Sequence, residues 1–406
     1  MRTAKRAEFA KYLNGISSDE LFLRFGVTRI CDITGLDNIG IPVWSAVRPA
    51  SKTVSVSAGK SVDPKLARAG AVAEAIEMHT FENPVGFWDI DLLLGHDYSL
   101  LPLAKDSKWT PQTKIAVEQV HNYGWGQEFW MPSDMFWLAK RADQREDYFQ
   151  MSSNGQAVGY SFEDAFMSGL YECIERDATT CRICAWQEYG VSPPRISLEN
   201  LPGRLAAPLG AITKADLKLF LFYCTIDIIG IDVPVYWAIL SDPHGGSGTF
   251  AGWGCSVEHT VAAERAILEA IQSRGVWIAG ARDDILRRNF DFIKNTDPAE
   301  FIKGLEEIPF SYSLPDEPIP FGMEAKEELH DVISRMSEWK DRIFYKHIDL
   351  GDIHAVKTVV LGLEGVRSHD MWQPGRYLKL KKMNEDRNDL LRWANSIFAD
   401  AQTAEA

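Results

Sequence analysis

The chain has 406 residues, 46% of them apolar, enough to bury a sizeable core as one large domain or two to three ordinary ones. A formal net charge of -14, with no run of Lys or Arg, argues against a nucleic-acid backbone as partner, because phosphate binding takes a clustered basic face. Six cysteines (Cys31, Cys173, Cys181, Cys184, Cys224, Cys255) are scattered without disulfide-like density, which points to a reducing cytoplasm.

The opening stretch, MRTAKRAEFAKYL, carries charges throughout and has no apolar centre, so no secretory signal is expected; residues 1–24 read as an N-terminal helical extension. IPVWSAVRP and TVSVSAG are predicted strands, followed by a helix that Asp63 and Pro64 start as N-cap and first-turn residue. The Trp-rich YGWGQEFWMPSDMFW is expected to pack over the core or line a substrate groove. YFQMSS is a predicted strand, and Ser161 with Asp164 approximates a capping box for a second long helix. The most apolar segment, LKLFLFYCTIDIIGIDVPVYWAIL, is broken by Asp227, Gly230, Asp232 and Pro234, which makes it two buried strands and not a membrane span. TFAGWG is a further strand before a third helix starting near Glu258. RIFYKHIDL and HAVKTVVLGLEG are predicted strands, YLKLKK an edge strand, and residues 386–406 a C-terminal helix and polar tail. No Pro/Ser-rich linker divides the chain.

The three predicted helices share a motif: EAIEMH from Glu74, ECIERD from Glu172 and EAIQSR from Glu269, the lead glutamates 98 and then 97 residues apart. Eleven residues before each lies the polar helix-starting residue, and shortly before that a glycine, Gly59, Gly159 or Gly254. The period is too long for a solenoid. It fits a single α+β domain with internal pseudo-repeats of strands plus a long helix, the helices converging on one centre.

Residues three apart on a helix share a face, so Glu74 with Glu77 and Glu172 with Glu175 each make a two-carboxylate plate beside an apolar stripe. A carboxylate near a core must be paired, protonated or bound to a cation. Two facing plates bring four negative charges into one cleft, which calls for a hard divalent ion such as Mg2+, shared with phosphate oxygens. Arg176 and Arg274 stand where forked hydrogen bonds to phosphate become available, so the combined reading is a nucleotide triphosphate site built from helices. The bland reading is a solvated helix face, the usual meaning of one isolated ExxE, and three register-matched copies weigh against it. The chain lacks a GxxxxGK[ST] loop, HExxH and GxSxG.

With these motifs, DITGLDNIGIPVWSAVRP, SVSAGKS, LARAGAVAEAIE, SSNGQAVGYSFEDAFMSGLYECIERDA, LEAIQSRGVWIAGARDD and VVLGLEG, the sequence resembles the YcaO superfamily of ATP-dependent peptide-backbone-modifying enzymes from about Phe25 to about Gly365, a YcaO-type domain being set at residues 25–385. The resemblance implies ATP and Mg2+, with Glu74, Glu77, Glu172 and Glu175 as metal ligands and Arg176 and Arg274 on the phosphates. Asn154, Glu163, Lys60 and Gln272 are further candidates for nucleotide or metal contact. Gly70 stands where the family usually has Ser, and Met78 where Arg is frequent; these departures are expected to alter affinity without losing the site.

The implied chemistry is O-phosphorylation of a backbone amide after a nucleophile adds to its carbonyl. A side-chain Cys, Ser or Thr gives an azoline, external sulfide a thioamide, a backbone amine an amidine. The chain ends without the proline-rich tail common among azoline-forming cyclodehydratases, and its opening is similar to members encoded beside a TfuA-like protein. Backbone thioamidation, a post-translational modification of RiPP (ribosomal peptide) biosynthesis, is therefore the leading expectation. It brings a TfuA-like partner, a precursor peptide or target protein and a sulfide donor, needs no membrane, and admits a homodimer. Cyclodehydration is the runner-up, and a non-catalytic peptide-binding scaffold the reading from another class. The catalytic residue, the sulfur source and the modified residue are not identified by sequence. Cys181 and Cys184 are expected to be buried packing rather than a persulfide or metal pair, and His79 and His259 to pack or hydrogen-bond near the repeat helices.

Overall fold

The computed structural model of the chain describes residues 2–84, 88–90, 100–110, 112–139, 148–225, 231–244, 248–285, 298–315 and 324–365. The chain folds as three sheet-plus-helix units. In the first, β1 (Arg29–Asp32), β2 (Val43–Val47) and β3 (Val56–Lys60) form an antiparallel sheet that feeds α3 (Pro64–Glu82). In the second, β7 (Gln156–Gly159) leads into α4 (Phe162–Tyr189). Its sheet runs β4 (Trp88–Ile90), β5 (Ile115–Asn122), β13 (Ile343–Asp349), β14 (His354–Val360) and β7, with β6 (Gln127–Pro132) on β5. In the third, β11 (Thr249–Cys255) leads into α6 (His259–Ala279) from a sheet completed by β10 (Val235–Ser241), β9 (Lys218–Tyr223), β8 (Arg195–Ile196) and β12 (Phe310–Tyr312). Helices α5 (Ala206–Lys214), α7 (Pro298–Glu306) and α8 (Ala325–Arg335) complete the described helical elements after α1 (Arg2–Gly15) and α2 (Ser18–Phe25).

The helix starts fall where the sequence places them. Asp63 accepts the Lys65 N–H at 2.8 Å ahead of Pro64, Ser161 accepts the Asp164 N–H at 3.3 Å, and Glu258 occupies the third N-cap, where its side chain makes no capping hydrogen bond to the helix. Each long helix lies almost against its strand. A Cβ on Gly59 would stand 2.1 Å from the Ala67 carbonyl oxygen, and one on Gly254 2.1 Å from that of Ala262, so glycine is what lets strand and helix touch. Each helix also reaches the strand of the next unit: α3 meets β7, α4 meets β11 and α6 meets β3. The arrangement is cyclic, and the third turns of all three helices face its centre.

The N-terminal helices are built into this body. Leu13, Ile16, Leu21 and Phe25 share a buried cluster with Val72, Ala75 and Ile76 of α3. Among the other expectations, the predicted strand YFQMSS is corrected: only Phe149 makes a bridge, to Leu103, because the chain turns at Asn154 and Gly155 and runs alongside β14 only from Gln156 onward. In the Trp-rich stretch Trp137 is buried, with its indole N–H on Glu118 at 2.8 Å, so that stretch packs over the core. The two strands read from the most apolar segment are β9 and β10, fully paired to each other. YLKLKK and residues 386–406 lie outside the described residues. No described helix is long and apolar enough to cross a membrane.

Candidate functional site

Five glutamates meet where the three helices converge: Glu74 and Glu77 from α3, Glu172 and Glu175 from α4, and Glu269 from α6. The repeat seen in sequence is repeated in hydrogen bonding. The Ala58 N–H donates to Glu74 at 3.0 Å, the Gly155 N–H to Glu172 at 3.0 Å, and the Trp253 N–H to Glu269, so each lead carboxylate is held by the backbone of its own unit's strand or the turn before it. Glu77 and Glu175 follow one turn later on the same faces.

The electrostatics are those of a site short of positive charge. Burial raises the pKa of Glu74, and raises that of Glu77 much further with the charges of Glu172 and Glu74 beside it. Burial also pushes Glu175 up to about 7, against the pull of Arg176 and with the help of Glu269 and Glu172. Arg176 bridges the second plate, 3.4 Å from Glu172 and 3.5 Å from Glu175, and lies over the Trp253 ring. Burial works against its charge, but these carboxylates and Glu269 outweigh it and hold the guanidinium firmly protonated. Lys60 pairs with Glu269 at 3.0 Å; burial would raise the Glu269 pKa, but Lys60 and Arg176 bring it below the ordinary value. Lys357, on β14, is buried and donates to the carbonyls of Ser152 and Asn154 at 2.6 Å each, its pKa lowered by burial to about 8.

The donor set is oxygen only, and Asn154 adds a buried Oδ1 without a hydrogen-bond partner among the described residues. No three described His, Cys, Asp or Glu side chains are gathered tightly enough to hold a metal ion alone. Mg2+ does not require that. It keeps several waters and binds through one or two carboxylates plus substrate phosphates, so the residues present fit it.

The remaining candidates are placed as follows. Gln272 follows Glu269 by one turn of α6 on the same face. Arg274 is buried but turned to the sheet side, its Nε 3.1 Å from Asp37 and its guanidinium over Phe250. Glu163 sits in the first turn of α4, nine residues and so about 13 Å along the axis from Glu172. There it lines a groove of about 790 Å3 with Lys5, Tyr12, Tyr160 and Ser161. Gly70 packs on β3, where a Cβ would stand 3.4 Å from the Gly59 Cα, and Met78 is buried in the neighbouring core. His79 lies edge-on against Phe25, His259 bonds the Tyr236 hydroxyl at 2.6 Å, and Cys181 and Cys184 are fully buried. Glu269, which the repeat marks as the third lead glutamate but which has Gln272 in place of an acidic partner one turn on, joins the cluster beside Glu175 and Lys60. Lys357 carries no such signal.

Residues 58–364 match the family model described as YcaO cyclodehydratase, ATP- and Mg2+-binding. An uncharacterized protein of Mycobacterium tuberculosis (strain ATCC 25618 / H37Rv) is 29% identical over 271 residues, 64% of this chain and 59% of that protein. An uncharacterized protein in the tfuA 3' region of Rhizobium leguminosarum bv. trifolii is 30% identical over 287 residues, 65% of each. The chain thus spans less than two thirds of the length of these curated relatives. The structure of YcaO from Methanopyrus kandleri bound with AMPPCP and Mg2+ superposes with a TM-score of 0.69 at 17% identity, over 93% of this chain and 96% of that one, a likeness of fold.

Proposed function

The chain belongs to the YcaO family, and from that premise we propose that it uses ATP and Mg2+ to phosphorylate the oxygen of a peptide backbone amide, installing a thioamide with sulfide from an external donor. The observation that carries this reading is the convergence of three repeat-related helices on Glu74, Glu77, Glu172, Glu175 and Glu269, with Arg176 seated between two of them. Bound Mg2+ supplies charge neutralisation of the triphosphate and polarisation of its transferring group. The glutamate plates hold that ion, with Asn154 and Gln272 at their edge. Arg176 holds phosphate oxygens in its fork, and Lys60 stands beside Glu269 within reach of the same charge. Glu163, two and a half turns of α4 from Glu172 and so on the opposite face of the helix, opens on the groove of Lys5 and Tyr160 and is left out of this nucleotide site.

The chemistry balances as follows. Sulfide adds to the amide carbonyl carbon, and the oxyanion so formed attacks the γ-phosphorus of ATP with loss of ADP. The carbon–oxygen bond then breaks, phosphate leaves with the former amide oxygen, and loss of the sulfur-borne proton gives the thioamide. The placement of a relative beside tfuA favours a TfuA-like partner as sulfide supplier; the substrate on this reading is a precursor peptide or target protein, and the scattered cysteines suit a cytoplasmic setting. The second reading, azoline formation on Cys, Ser or Thr, is favoured by the cyclodehydratase description of the family.

Incubating the protein with ATP, Mg2+, sulfide, the TfuA-like partner and a candidate peptide, followed by mass spectrometry, tests both. Exchange of oxygen for sulfur raises the peptide mass, whereas cyclodehydration lowers it by one water. Absence of phosphate release from folded protein under every combination would leave only the scaffold reading.

A further inference from the structure

Outside the glutamate plates, two neighbouring side chains hold three buried polar atoms without a hydrogen-bond partner among the described residues. Gln156, 3% exposed on β7, has neither its amide oxygen nor its amide nitrogen hydrogen-bonded among the described residues. It stands directly opposite Lys357 in the β7–β14 register, on the same face of the sheet. Two residues earlier is Asn154, with its own unpartnered Oδ1, on the turn whose carbonyls Lys357 grips. That turn also carries the Gly155 N–H bonded to Glu172, and Lys357 lies near enough to Glu172 and Glu77 to feel both charges.

Buried polar atoms are costly when unmatched, and a chain that keeps three of them within three residues, beside a cleft of carboxylates, is shaped for something that matches them. Resting on the reading of the plates as a Mg2+ and nucleotide site, we propose that Gln156 and Asn154, fixed in place by Lys357, form an outer cradle between the first and second plates that hydrogen-bonds the water ligands of the bound Mg2+. The residue types suit the task. An amide donates and accepts, so Gln156 and Asn154 together serve waters whose hydrogens point away from the ion. Mg2+ retains several waters, and groups that hold the ligands of a metal tune its affinity strongly. Lys357 is a positioning residue: its ammonium fixes the turn from Ser152 to Gly155 and thereby both Asn154 and the N–H that orients Glu172.

The test uses Gln156→Leu and Lys357→Met in the full chain. Its readouts are the melting temperature of the unliganded protein and the Mg2+ concentration that half-saturates AMPPCP binding by calorimetry. Gln156→Leu removes two unmatched polar atoms at nearly constant volume, so the unliganded protein should melt at the same or a higher temperature. Its Mg2+ requirement should rise about tenfold or more. Lys357→Met should raise the requirement similarly, and the double variant should fall well short of the product of the two effects, because both act on one cradle. A lower melting temperature with an unchanged Mg2+ requirement in Gln156→Leu means packing alone and overturns the cradle, whatever the folding of Lys357→Met. Wild-type protein that binds no AMPPCP in Mg2+ overturns the nucleotide reading itself, and the cradle with it.

Discussion

Glu175 concentrates the tension of the site. It is buried, shares Arg176 with Glu172, and lies close enough to Glu269 for their charges to oppose each other. Replacing it by alanine removes one negative charge from a crowded cleft and leaves Arg176 still paired with Glu172, so the fold should survive. Glu175→Ala should abolish peptide modification and weaken Mg2+-nucleotide binding by at least about tenfold, since even outer partners of a metal ligand are worth that much. Calorimetric titration with AMPPCP checks it, and unchanged affinity would refute the metal assignment. Residues such as Glu172 and Glu175 were legible in sequence because helical spacing and a repeat of nearly constant length both single them out. Arg274 shows where that logic stops. Two residues beyond Gln272 it is rotated to another face of α6, and its partner Asp37 is 237 residues away, a contact no local pattern announces. Glu269 was legible by register yet hidden in role, because its counter-ion Lys60 comes from a different unit.

At the scale of an element, the end of α3 depends on a buried ion pair that joins it to the β2–β3 hairpin. Arg48 and Glu82 are 2% and 1% exposed; Arg48 donates to one Glu82 oxygen at 3.0 Å, while Ser51 and the Thr53 N–H and hydroxyl donate to the other. Burial alone would raise the Glu82 pKa, but these donors and the Arg48 charge bring it below its ordinary 4.5. The contribution to stability is therefore complete above about pH 4.5 and is lost as pH falls through the lower folded value. Glu82→Ala strands a buried guanidinium and should cost about 3–5 kcal/mol in urea unfolding near neutral pH, the difference from wild type shrinking in acid. A loss that does not shrink at all as pH is taken from 7 to well below 4.5 would show that packing and not the ion pair is responsible. Helix starts of this kind were readable, because Asp63 with Pro64 and Ser161 with Asp164 are local chemistry. The Arg48–Glu82 pair was not, since nothing in either segment names the other.

Across the whole molecule, the cyclic packing of α3, α4 and α6 makes the centre both the meeting point of the fold and its least compensated charge. Glu74, Glu77, Glu172, Glu175 and Glu269 face Lys60, Arg176 and Lys357, while Arg282 near Glu74 is engaged by Asp284, which leaves two negative charges for full ionisation to satisfy. Burial answers part of this by raising the pKa values of Glu74, Glu77 and Glu175, which makes each of these acids harder to ionise in the unliganded protein. Divalent charge should therefore stabilise the whole domain, but only together with a triphosphate, because no three acids gather to hold a metal ion by themselves among the described residues. A ligand at a hundred times its dissociation constant contributes about 2.7 kcal/mol. Spread over the unfolding entropy of a chain this long, about 2 cal/mol/K per residue, that raises the melting temperature by about 3 °C. Differential scanning calorimetry should show this rise with Mg2+ and AMPPCP together, little with either alone, and full reversal on adding EDTA. An equal rise with AMPPCP in EDTA would place the nucleotide on the protein without the carboxylate plates, and the central charge would need another explanation. The three units are stapled at their centre by helices from all of them, so the rise should appear as a shift of one transition and not as the emergence of a second.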